Sequence, residues 1–246
     1  MQAAASAAGR AGWLRDWQYA HRGLHGDGVA ENSPAAFEGA IARGLGIECD
    51  VQISRDGRAM VFHDWTLERL TDETGDVAAR DCAELERIAL RVGGERIPTI
   101  DALLAQVGGL VPLLVEIKSK REFNPVPLCA AVEQALRSYE GAVAVMSFDP
   151  RVPKWFADHA PGVVRGLVVT EENDRGMAGR LRRRLAFRHA RPHFLAYDVR
   201  DLPSAFAAAH RARGVPLLTW TVRSPDLRAR AAAHADAPIA EGAGLA

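Results

Sequence analysis

The alternation of apolar and polar positions is clearest between Ile47 and Arg69, in IECDVQISRDGRAMVFHDWTLER. Residues 47–53 alternate with the period of two expected of a strand. Glu48 and Asp50 therefore share one face, and Val51 and Ile53 take the other. Arg55-Asp56-Gly57 is a turn signal. The apolar run over 59–62 then stops at His63-Asp64, which sets an imidazole and a carboxylate at a strand end.

The same reading carries along the chain. Strands are predicted over 17–20, 46–53, 111–117, 143–146, 164–169, 194–197 and 216–220, with an eighth near Ile239. Helical runs fall between them. The first opens at Ser33 as N-cap with Pro34 at the first helical position, buries Ala36, Phe37, Ala40 and Ile41, and ends at Gly44. Others are expected from Thr99 to Gln106 and over 150–159, 174–187, 203–211 and 224–234. Strands alternating with helices imply a parallel sheet. Eight such strands over this length favour a closed α/β (β/α)8 barrel. Residues 54–98 are too long for a simple connection and read as a small insertion after the second strand, with a helical piece over 82–90. Residues 1–16 read as a flexible lead-in to a single domain over 17–246. Pro238 sits in the tail that should hold the last strand, where proline is unwelcome.

Composition narrows the function. The chain has 246 residues, 48% of them hydrophobic, enough for a large core. Its 31 basic and 31 acidic residues cancel, so no broad nucleic-acid footprint is expected. The three cysteines, Cys49, Cys82 and Cys129, are widely spaced and odd in number, which fits a reducing compartment better than a disulfide framework. The opening residues lack the apolar core of a signal peptide, and no run reaches membrane-span length. A cytoplasmic protein with no stable membrane association is expected; its oligomeric state is open. The basic run over 179–191, GRLRRRLAFRHAR, sets Leu181 and Leu185 on one face; such a run suits an anionic membrane surface, but a solvated barrel helix is the expected reading because the neutral chain shows no wider basic patch.

The candidate chemistry collects at strand ends, where barrel enzymes place theirs. His21-Arg22 closes the first strand, Glu48 and Asp50 lie on the second, and Glu116-Ile117-Lys118 closes the third. Three carboxylates from two adjacent strands make a hard-oxygen site suited to Mg2+ or Ca2+. Two histidines, His21 and His63, and a nearby arginine add proton carriers and an anion clamp, an inventory that fits phosphate-ester cleavage.

These pieces resemble the glycerophosphodiester phosphodiesterases. The matching stretches are His21-Arg22-Gly23, Glu31-Asn32 with Ala36-Phe37, residues 46–52, Asp56-Gly57, His63-Asp64, Leu67, Arg69, Thr71, Glu116-Ile117-Lys118 and Trp220-Thr221-Val222. The resemblance spans about 18–222 and is most specific in the first hundred residues. It implies a (β/α)8 barrel with a small insertion after the second strand. It also implies that Glu48, Asp50 and Glu116 ligate a divalent metal and that His21 and His63 are the acid–base pair. Arg22 and Lys118 become phosphate contacts and Trp220 a pocket wall. The implied reaction releases glycerol 3-phosphate and an alcohol from a small glycerophosphodiester, through attack by the substrate's own hydroxyl. Two other readings remain at this stage: a barrel cleaving lysophospholipid or phosphoinositide head groups, and a catalytically silent barrel that binds phosphodiesters. The chain departs from the family pattern at Ala30, where many relatives have proline, and in its tail, 236–242.

Overall fold

The computed structural model describes residues 9–172 and 174–245. Part of the expected lead-in, residues 1–8, lies outside the described residues. The remainder contains a 3-10 turn, Gly12–Asp16, that buries Leu14. The strand–helix alternation is that of a (β/α)8 barrel. The chain divides into two compact units, one formed by Ala20–Val143 and the other by Ala144–Ala246 with the N-terminal residues through Tyr19.

The first short strand, β1, is Tyr19–Ala20. In the unit that follows it, helix α1 (Pro34–Ala42) begins as the sequence indicates. Ser33 Oγ accepts the Ala36 N–H, Pro34 occupies the first turn, and Ala36, Phe37 and Ala40 are buried. The tight approach to α1 depends on Gly23, whose φ is +76°. A Cβ there would lie 2.8 Å from Ala36, closer than van der Waals contact allows.

Strand β2 (Gly46–Ile53) is buried on both faces over most of its length, as expected of a strand inside a parallel sheet. Short β3 (Ala59–Val61) folds back antiparallel, pairing Val51 with Val61 and Ile53 with Ala59. Gly57, at φ +83°, supplies the turn between them. Beyond β3 the chain forms α2 (Cys82–Leu85), and Phe62, Leu67, Val77, Leu85, Ile88, Leu90 and Ile97 pack into a cluster with Met60. The expected helix over 82–90 is thus a single turn. Ile88 and Leu90 leave it because they pack in that cluster, and Ala89 bridges to Arg96. Helix α3 (Ile100–Val107) is capped by Thr99. It leads to β4 (Leu113–Ile117), parallel to β2 with Asp50 opposite Glu116. Helix α4 (Val126–Leu136) closes this unit's sequence of elements, and β5 (Val143–Ser147) begins at its end.

The other unit continues with α5 (Arg151–His159), β6 (Val164–Val169), α6 (Met177–Ala190), β7 (Phe194–Asp198), α7 (Ala205–Arg211), β8 (Leu217–Val222), α8 (Pro225–His234) and β9 (Ala237–Ala240). Strands β5 through β9 pair in parallel in that order. The tail does form a strand despite Pro238. Its pairing with β8 is irregular between Thr219 and Val222, the kind of local break that tolerates a residue without an N–H. Among the described residues no helix is long and apolar enough to cross a membrane.

Candidate active site

The unit formed by Ala20–Val143 concentrates the chemistry at the C-terminal ends of β2 and β4 and the loops beside them. Three buried carboxylates, Glu48, Asp50 and Glu116, each place an oxygen within 4.8 Å of the others. The parallel register sets Asp50 opposite Glu116, and strand alternation puts Glu48 on the same face as Asp50. Each of the three is held separately. Glu48 accepts the backbone N–H of Arg22 at 3.0 Å. Asp50 accepts the Asn32 amide at 3.1 Å, and its own N–H donates to Asn32 Oδ1 at 3.3 Å. Glu116 accepts from Lys118 Nζ at 3.1 Å.

Two cations stand among the carboxylates. Lys118 Nζ lies 3.5 Å from Asp50, and Arg22 Nε lies 3.2 Å from Asp50. The Arg22 Nε contact is an ion pair without hydrogen-bond alignment, so this buried N–H donates to no protein acceptor. Arg22 takes the left-handed region, φ +55°, as does Asn32. Each is a non-glycine residue held there by its neighbours at the site.

Burial and two like charges push the Glu48 carboxyl well above the usual range. Burial also raises Glu116, although Lys118 opposes it. Asp50 goes the other way: burial disfavours its charge, but Lys118, His63, Arg22 and His21 outweigh that and bring it to about 2. The site holds Glu48 and Glu116 back from ionising, chiefly by burial with the neighbouring carboxylates adding to it, and a bound cation would offset that cost. Its donors are all oxygens. Both features fit a hard divalent cation bound by Glu48, Asp50 and Glu116.

His63 follows β3, whose exit is tied to β2. Phe62 N–H donates to Asp50 O at 3.0 Å, and the Gln52 amide bonds the Phe62 and Asp64 carbonyls. His63 Nδ1 lies 2.6 Å from Asp64 Oδ1. Asp64 in turn accepts from Arg69 Nε at 2.5 Å. Arg69 reaches Glu31 at 2.7 Å, and Glu31 accepts from Arg22 Nη1 at 2.7 Å. A chain of alternating charge thus runs from His63 back to Arg22. Burial lowers the His63 pKa, with Lys118 and Arg22 adding to the effect and Asp50 and Asp64 opposing it. Burial works against Asp64 as well, but Arg69 and His63 hold its carboxyl at about 2.

Of the residues singled out from sequence, the structure brings His21, Arg22, Glu48, Asp50, His63, Glu116 and Lys118 into this one unit. His21 is buried and interacts with Asp50. Trp220 belongs to the other unit, on β8, where its indole N–H donates to Ala196 O at 3.0 Å and its ring meets Phe148 edge-on. Four further residues stand at the site: Asp64, read from sequence as a carboxylate beside the His63 imidazole, and Glu31, Asn32 and Arg69, which were given no role there. Their signal was present, since all four fall within the matching motifs, but single side-chain roles do not follow from adjacency. Trp65, next to Asp64, packs on Phe123 with Lys120 4.2 Å above its ring.

Residues 21–239 match the model of the glycerophosphoryl diester phosphodiesterase family. The chain belongs to this family. It is accordingly a phosphoric diester hydrolase by family. YhdW of Bacillus subtilis (strain 168), a protein whose name assigns it the same activity, is 29% identical over 220 residues, 86% of this chain and 88% of that one. A glycerophosphodiester phosphodiesterase of Caldanaerobacter subterraneus subsp. tengcongensis is 33% identical over 160 residues, 61% of this chain and 65% of that one. Among solved structures, an Oleispira antarctica phosphodiesterase in complex with the product sn-glycerol-3-phosphate superposes with a TM-score of 0.79 at 23% identity. The match covers 91% of this chain and 92% of that one and carries the family's barrel fold.

Proposed function

We propose that the protein hydrolyses small glycerophosphodiesters to glycerol 3-phosphate and an alcohol. The observation that carries the reading is the trio of buried carboxylates in the same unit as a histidine, His63, whose Nδ1 lies 2.6 Å from Asp64. Support for the substrate class comes from the family and from the glycerol 3-phosphate bound to the Oleispira antarctica phosphodiesterase.

Glu48, Asp50 and Glu116 would hold a divalent metal, Mg2+ or Ca2+. When bound there, it would supply positive charge to the phosphoryl oxygens and lower the pKa of an attacking hydroxyl. The remaining chemistry falls to the chain's own groups. Arg22 and Lys118 offset charge that develops on the phosphoryl group, and the unsatisfied Arg22 Nε–H is available to an oxygen of the substrate. Asp64 takes the Nδ1–H of His63 and so leaves Nε2 with its lone pair. His63 is then the base of the first step. The substrate's adjacent glycerol hydroxyl attacks phosphorus and gives its proton to His63 Nε2. The bond to the alcohol breaks, and His21 protonates the departing oxygen. Water then opens the cyclic phosphate with the two histidines in reversed roles, and glycerol 3-phosphate leaves. The role of Trp220 as a substrate contact rests on the resemblance alone.

The test is release of glycerol 3-phosphate from glycerophosphocholine with Mg2+, with Ca2+ and with EDTA. The expected result is metal-dependent release that Glu48→Ala abolishes. Full activity in Glu48→Ala would overturn the metal assignment. Binding of glycerophosphocholine without turnover would favour a silent binding barrel instead.

A further inference from the structure

Helix α6 carries a surface that the phosphodiesterase reading does not use. A helix packed on a barrel normally turns its large apolar residues inward. On α6, Met177, Leu181 and Leu185 are instead 87%, 58% and 57% exposed. Their spacing of four residues aligns them in one stripe along the helix. Arg180, Arg184 and Arg188 repeat at the same spacing and form a second stripe beside it. All three are exposed, and among the described residues none has a carboxylate partner. The helix contains no acidic residue.

The arginine side of α6 faces α7 across a groove of about 820 Å³ lined by Arg175, Arg180, Arg183, Arg184, Arg200 and Arg213. Two carboxylates, Glu171 and Asp201, line the same groove. They are already taken. Glu171 accepts from Arg183 at 2.9 Å, from Tyr197 at 2.5 Å and from Ser204 at 2.7 Å, and Asp201 pairs with Arg175 at 3.1 Å. Arg200 is neutralised by Asp198 at 2.6 Å. Among the described residues Arg180, Arg184 and Arg213 are left without a counter-charge. In addition, Arg183 is only 8% exposed, yet its Nε–H has no acceptor. This accumulation is local, because the whole chain has equal numbers of acidic and basic residues.

We propose that the exposed face of α6, together with the α6–α7 groove, docks on an anionic lipid surface. An unscreened arginine stripe is attracted to the negative potential of such a surface. An adjacent exposed apolar stripe is what inserts at the boundary between head groups and acyl chains. An arginine cluster for a free phosphate would need no exposed Met177, Leu181 and Leu185. A solvated helix commonly exposes single apolar residues, whereas here three stand in line beside the arginines.

The test is cosedimentation with vesicles of phosphatidylserine and phosphatidylcholine, beside vesicles of phosphatidylcholine alone. The native chain should pellet with the anionic vesicles and not with the neutral ones. Combining Arg180→Gln, Arg184→Gln and Arg188→Gln should weaken partitioning by roughly a hundredfold. Combining Leu181→Gln and Leu185→Gln should weaken it by about tenfold. Both variants should turn over soluble glycerophosphocholine at the native rate, which shows that they are folded. Failure of the native chain to pellet, or variants that pellet like it, would overturn the proposal. So would binding to polyglutamate unaffected by the leucine substitutions, which points to an acidic protein. Protection of the arginines by inorganic phosphate without vesicle binding would point to a free anion and would also overturn it.

Discussion

At Glu48, three effects act on one carboxyl: burial, the Asp50 charge and the Glu116 charge all disfavour ionisation. The folded protein therefore holds a proton there above pH 4.5, the ordinary value for a glutamate, where the unfolded chain has lost it. Stability falls as pH rises wherever the folded state binds more protons, so this group costs stability above pH 4.5 in metal-free protein. Glu48→Gln removes that cost. In EDTA, its melting temperature should exceed that of the native chain at pH 8, with the gap closing toward pH 4.5. Adding Mg2+ or Ca2+ should reverse the order, since only the native site gains binding energy; at about a hundredfold over Kd that gain is ~2.7 kcal/mol. A metal-free Glu48→Gln protein less stable than native at pH 8 would contradict the repulsion argument. At His63, Asp64→Asn removes the acceptor that fixes the ring tautomer. It should lower kcat by about 10²-fold or more while leaving KM for glycerophosphocholine nearly unchanged. An equal rise in KM would instead mean that Asp64 orders the substrate.

The chemistry at this scale was legible where residue type and strand phase decide it. Glu48 and Asp50 share a face because a strand has period two, and Glu116 joins them because β4 pairs with β2 in parallel register. Partners contributed by long-range contacts were not legible. Glu31 lies nine residues from Arg22 but 38 from Arg69, and it bonds both. No local pattern announces that link, and the same holds for the amide of Asn32 on Asp50.

Among the elements, β2 and α1 follow from sequence almost to the residue, because strand alternation and the Ser33-Pro34 start are strong local signals. The helix expected over 82–90 was misjudged, since helical spacing there competes with a tertiary cluster that takes Ile88 and Leu90. Proline in the tail argued against β9, but the irregular pairing with β8 accommodates it. The connection from β6 to β7 supports an independent prediction. His193 Nδ1 accepts the Arg165 backbone N–H at 3.4 Å. Burial, followed by the Arg165 and Arg10 charges, lowers its pKa from 6.5 to about 4. Between those values the unfolded chain binds the extra proton, so stability is lost as pH falls through this window. The expected loss is up to ~3 kcal/mol by pH 4. Denaturant unfolding of His193→Gln should show a shallower decline from pH 7 to pH 4.5 than the native chain. Parallel declines would remove His193 from the account of acid sensitivity.

For the whole molecule, equal acidic and basic totals conceal an uneven distribution. Acidic groups converge at the ends of β2 and β4, where they call for a cation. Arginines converge on α6 and its groove, where they call for an anion. The basic run over 179–191 was legible in the sequence, but Leu181 and Leu185 are as compatible with a packed helix face as with an exposed one until burial is known. The fold class itself was legible, since strands and helices alternate at barrel spacing along nearly the entire chain.

The measurement that bears most directly on the account is glycerol 3-phosphate release from glycerophosphocholine and glycerophosphoethanolamine, with metal or EDTA, by the native chain and His63→Ala. The account expects release by the native chain with Mg2+ or Ca2+, none in EDTA, and loss of at least about 10²-fold in the variant. Release that survives EDTA, or a His63→Ala protein as fast as native, would contradict it.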